Sequence, residues 1–64
     1  MKAYEIKSNT KVLIIDENVK QPFNSIIVKK GDVITILNID GMYCNCLDEN
    51  NNRIYIASWT KVKK

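Results

Sequence analysis

Two cysteines, Cys44 and Cys46, and two adjacent carboxylate pairs, Asp16-Glu17 and Asp48-Glu49, are the residues here whose types suit chemistry. The candidate chemistries are a thiolate nucleophile, a metal centre and carboxylate acid–base work. The surroundings complete none of them. The chain has no histidine, so the usual acid–base group of neutral pH is missing. Two thiols alone do not fill a four-ligand zinc site. In a strand, residues two apart share a face about 7 Å from each other, a poor separation for a disulfide. Cys44 and Cys46 are therefore expected to be reduced and packed as small hydrophobes, which suits a reducing compartment. A strand position also lacks the cation or helix end that would lower a thiol pKa. Carboxylates adjacent along a loop do not converge on one reacting atom. Ser8, Ser25 and Ser58 have no base beside them, and the two isolated glycines form no phosphate-cradling loop. The sequence predicts no enzyme, no metal and no cofactor.

Binding is the remaining class of function. Sixty-four residues form one domain, 1–64, which buries only about 60% of its unfolded surface, so each core position matters. Ten isoleucines and five valines stand against three leucines, a bias toward strands because β-branched side chains lose χ1 freedom in helices. Ten cations against seven acids give a net charge of +3, which favours solubility and a weak attraction to polyanions. Nine of those cations are lysines, and only Arg53 offers a planar fork for bidentate contacts. The longest aliphatic run, Val12 to Ile15, is far short of the roughly 20 residues of a membrane span. No signal peptide is visible at Met1-Lys2-Ala3-Tyr4-Glu5, and a cytoplasmic location is expected.

The elements that must position these residues read as strands. Ala3 to Lys7 is a first candidate, with Tyr4 and Ile6 on one face. Val12 to Ile15 is a second, continuously apolar and so expected to be covered on both sides. Asp16 to Ser25 is polar and holds Pro22, which marks a loop or an edge; a connection this long is often functional. Phe23 within it is expected to fold back onto the core. Ile26 to Val28 resumes a strand, and Lys29-Lys30-Gly31-Asp32 forms a turn. Val33 to Ile39, the Asp40-Gly41 hairpin signal and Met42 to Leu47 follow. Asp48 to Asn52 is a turn of residues that tolerate left-handed backbone. Arg53 to Ala57 is the last long strand, Ser58-Trp59-Thr60 a short helical turn, and Lys61 to Lys63 a final short strand. Turn signals at this spacing predict a small barrel or sandwich.

The order of elements from Ile26 to Val62 resembles the Src-homology-3 family. Ile26-Ile27-Val28-Lys29-Lys30-Gly31-Asp32 stands where that family shows a Leu-Ser-Phe-Lys-Lys-Gly-Asp run. Ile54-Tyr55-Ile56-Ala57-Ser58-Trp59-Thr60-Lys61-Val62 stands for its Gly-Tyr-Ile-Pro-Ser-Asn-Tyr-Val tail, one residue longer. The resemblance implies an all-β, five- to six-stranded Src-homology-3-like barrel with one short helical turn near the C-terminus. It also implies inward-facing Ile26, Val28, Ile34, Ile36, Cys46 and Ile56, pairs that alternation supports independently. In that family an aromatic groove grips proline-rich peptides. Here the groove positions read Asp16, Asn18, Tyr43 and Ala57, so the resemblance implies the fold and a binding surface rather than that ligand.

The expected function is a small protein-binding module, a free-standing adaptor, regulator or inhibitor of the kind a phage or mobile element carries, monomeric or weakly dimeric. Tyr43, Tyr55 and Trp59 are its anchors, because aromatics dominate interface energetics, with Asp16 and Glu17 of the long loop beside them. Trp59 has a second reading as a lid over the barrel end. The alternative function is single-stranded nucleic-acid binding, with stacked aromatics and with Lys29, Lys30, Arg53 and Lys61 along the phosphates. A third is self-assembly through an exposed edge at Ala3 to Lys7.

Overall fold

The computed structural model describes residues 1–21 and 23–64; Pro22, on which part of the loop expectation rests, lies outside the described residues. Five antiparallel strands form one sheet in the order β4-β3-β2-β1-β5. They are β1 (Thr10–Ile14), β2 (Val33–Asp40), β3 (Tyr43–Leu47), β4 (Arg53–Ala57) and β5 (Val62–Lys63). The sheet is not closed: β4 and β5 are its two edges and do not pair with each other. Strand alternation sorts the side chains. Val12, Ile14, Ile34, Ile36, Cys44, Cys46, Ile54, Ile56 and Val62 point inward and are buried, together with Ala3, Ile6 and Val28. Of the expected inward set, only Ile26 stops at partial burial, packed against this cluster.

The N-terminal segment is not a strand. Ala3–Glu5 is a single 3-10 turn, closed when the Ile6 N–H donates to the Ala3 carbonyl at 3.1 Å. The cause is local: Glu5 Oε1 accepts the Lys2 N–H at 2.7 Å, so the acid caps the turn it belongs to. Ile6 is buried and Tyr4 exposed, so the two do not share a face, and no strand edge exists there for self-assembly. The turn is instead tied to the chain's other end. Lys2 bridges Lys61, Ala3 N–H donates to Thr60 O, and Tyr4 N–H to Ser58 O, both at 2.9 Å.

Three further expectations are corrected. β1 is covered on one side only, with Val12 and Ile14 buried but Leu13 and Ile15 exposed. Ile26 to Val28 joins no ladder; pairing with β1 starts where Ile14 N–H donates to Asp32 O. Ser58 to Thr60 is a hydrogen-bonded turn, Thr60 N–H to Ala57 O at 3.0 Å, and the one helical turn of the described residues lies at the other terminus. The β2–β3 hairpin holds, shifted by one residue: Asp40 pairs with Tyr43, and Gly41–Met42 forms the two-residue turn with Gly41 at φ +62°. A bulge between Ile36 and Asn38 adds Leu37 to β2 and reverses its face alternation beyond that point.

Candidate binding groove

β3 and β4 carry their tyrosines on the face opposite the core. Tyr43 and Tyr55 alternate with buried Cys44 and Ile54/Ile56, so both rings lie on the outer surface, half-buried. They are half-buried because Phe23 covers them. Its ring stands edge-on to both, with centroids 4.9 Å from Tyr43 and 4.9 Å from Tyr55. Phe23 therefore caps an outer aromatic cluster and stays exposed, contrary to the expected return to the core. Two side chains hold the loop in that position. Asn24 Nδ2 donates to Arg53 O at 3.1 Å across to β4, and Gln21 Nε2 donates to Ile26 O at 3.0 Å within the loop.

Beside this cluster lies a groove of about 330 Å³, lined by Asp16, Asn18 and Lys20 from the loop and by Tyr43, Ala57, Trp59 and Thr60 from the sheet end. Three of the five expected partner-binding residues, Asp16, Tyr43 and Trp59, thus meet in one concavity. Tyr55 sits one step along β4 under Phe23, outside the groove. Glu17 lies away from the groove, lining the neighbouring hollow with Lys30 and Lys61 and pairing with Lys30 Nζ at 3.3 Å. Lys20 was not singled out from sequence; its position opposite Trp59 depends on the path of the loop, which no local pattern encodes.

Asp16 organises one wall. Its Oδ1 accepts the Asn18 N–H at 3.0 Å and its Oδ2 the Lys61 N–H at 3.2 Å, so one carboxylate fixes the loop's start to the bridge residue before β5. Those bonds, the Asn18 bond first, hold its pKa below the ordinary carboxylate value. Trp59 is 52% exposed, so the indole is no lid over the core. Ser58 anchors the turn beneath it, Oγ donating to Gly41 O at 2.7 Å and N–H to Met42 O at 2.8 Å.

The groove offers aromatic surface, one carboxylate and one ammonium, a set for holding a ligand. The thiols are elsewhere. Cys44 and Cys46 are free and fully buried, 3.9 Å separating Cys44 Sγ from Ser58 Oγ. Burial pushes both thiols up, Cys46 to about 12. Among the described residues no group of three or more acids and thiols is arranged to hold a metal ion.

The expected phosphate-binding residues do not form one surface. Lys29 pairs with Asp32 at 3.5 Å and Lys30 with Glu17, both on the exterior. Arg53 is exposed at the far end of β4, and Lys61 lies next to Asp16. No helix of the described residues is long and apolar enough to cross a membrane. Comparison with protein families, with curated proteins and with solved structures returns no match to this chain.

Proposed function

We propose that this chain is a small non-catalytic protein-binding module that holds a segment of its partner in the groove between the Asp16–Lys20 loop and the Ala57–Thr60 turn. The observation that carries the reading is the pairing of a half-exposed Trp59 with Tyr43 across a concavity whose rim holds both charge signs. A large amphipathic ring left in water beside a pocket is the usual form of an interface anchor. We also read the five-stranded sheet as a divergent Src-homology-3-like barrel, a reading supported by the element order and by the inward-facing residues. The expected cytoplasmic adaptor, regulator or inhibitor, monomeric or weakly dimeric, is consistent with buried free thiols.

Affinity capture from the native host, with and without nuclease, tests the reading. A protein retained by the wild type, insensitive to nuclease and lost with Tyr43→Ala/Trp59→Ala, supports it. Retention that survives both substitutions places the partner elsewhere. The nucleic-acid alternative built on Lys29, Lys30, Arg53 and Lys61 has less support, because two of those lysines already have carboxylate partners.

A further inference from the structure

Four of the lysines outside the two ion pairs lie together on a different surface. Along β5 and the residue before it, Val62 is buried, so alternation turns Lys61 and Lys63 outward, about 7 Å apart along the strand. Lys2 sits directly across from Lys61 in the isolated bridge, and Lys63 across from Leu13 of β1. Lys11 follows two residues before Leu13 on the same outer face. Leu13 and Ile15 lie between these lysines, each little more than one-third exposed. Among the described residues none of the four lysines comes within ion-pairing distance of a carboxylate; the two ion pairs are Lys29–Asp32 and Lys30–Glu17. Asp16 is the acid that feels Lys61 and Lys2, and both its oxygens already accept backbone N–H bonds.

Two lysines facing each other across a ladder repel; the single charge of Asp16 beside them offsets part of that, and a phosphate above them would relieve the rest. We propose that the outer face of β1, β5 and the Lys2 bridge binds the phosphate backbone of single-stranded nucleic acid. The lysine spacing matches one nucleotide step of an extended strand. Trp59, two residues before Lys61 and half exposed, supplies a base-stacking surface at the end of the track. A lipid surface fits less well, because Leu13 and Ile15 are each about three-fifths covered and offer little side chain for insertion among acyl chains. This surface meets the groove at Trp59 and Asp16, but none of its four lysines lines the groove, so either proposal can fail alone.

Trp59 is the only tryptophan, so its fluorescence reports binding of an unlabelled oligothymidylate to the full chain. Quenching whose affinity falls steeply with added salt is expected. Lys61→Gln/Lys63→Gln should weaken binding about tenfold and lower the salt slope by roughly 1.4, since each single-strand phosphate contributes about 0.7. Lys29→Gln/Lys30→Gln should change the affinity less than about twofold. Polarisation of a labelled oligonucleotide gives the same readout without the indole, and thermal melts confirm that the glutamine variants fold; should that pair not fold, Lys11→Gln/Lys63→Gln is read in its place. Absence of binding at low salt overturns the proposal. So does equal weakening by both lysine pairs, equal affinity for duplex DNA, or binding to phosphatidylserine vesicles without binding to the oligonucleotide.

Discussion

The ring of Phe23 meets that of Tyr43 edge to face, with planes 80° apart and centroids 4.9 Å apart, and it does so on the outside of the sheet. That contact, repeated against Tyr55, pins the middle of the long loop over β3 and β4 beside the groove.

Phe23→Ala should therefore loosen the loop without unfolding the sheet. Each lost aromatic pair is worth about 0.5–1.5 kcal/mol beyond area burial. Amide exchange at 17–21 and 23–26 should accelerate while the β2–β3 amides stay protected; uniform acceleration would show that the loop and the sheet unfold as one unit.

Ile36→Ala removes a fully buried side chain opposite Cys46 at the centre of the sheet. A loss of about 2–5 kcal/mol is expected, against a total stability near 5 kcal/mol for a small domain. Urea denaturation measures it, and a shift in midpoint too small to convert to 1 kcal/mol would contradict the register of β2.

The thiols predict the alkaline limb of stability. Cys46 titrates at about 12 in the folded chain because burial disfavours its thiolate, with Cys44 adding to it, whereas the ordinary value is 9.0. The unfolded chain loses its proton first as pH rises, so this contribution is complete below about pH 9 and declines from there toward 12. Cys46→Ala should flatten the decline, and neither thiol should react with a maleimide faster than the chain globally unfolds.

Asp16 and Asp48 predict the acid limb. Asp48 takes N–H bonds from Asn52 at 2.8 Å and Asn50 at 2.9 Å, and its pKa, like that of Asp16, lies below the ordinary 3.8. Here the unfolded carboxylates gain protons first, so stability is complete above about pH 4 and falls as pH drops through the folded values. Thermal melts of Asp16→Asn and Asp48→Asn should depend less on pH below 4 than those of the wild type.

Alternation made the core legible. Ile34/Ile36, Cys44/Cys46 and Ile54/Ile56 are spaced two apart and all face inward, as the strand period requires. Asp40-Gly41 and Asp48 to Asn52 marked both hairpins through residues that accept positive φ, found at Gly41 and Asn51. Tyr4 and Ile6 misled, because the same period-two spacing arose in a turn capped by Glu5, a side-chain bond that periodicity does not register. At the site, the aromatics were visible as residue types. The meeting of Tyr43 and Trp59 with Asp16 was expected from the family resemblance, whereas the Lys61 N–H bond that secures Asp16 there was not, because that backbone partner is distant along the chain.

The pairing of β1 with both β2 and β5 governs the order in which the molecule assembles. β2, β3 and β4 are joined by short hairpins and need only local contacts, whereas Ile14 meets Val62 from almost the opposite end of the chain. Such distant contacts place small β domains among the slower two-state folders, in milliseconds to seconds. On the ribosome the consequence is sharper. Until Val62 has emerged, one side of β1 has no strand to pair with, and the nascent chain carries an open edge that other chains can join.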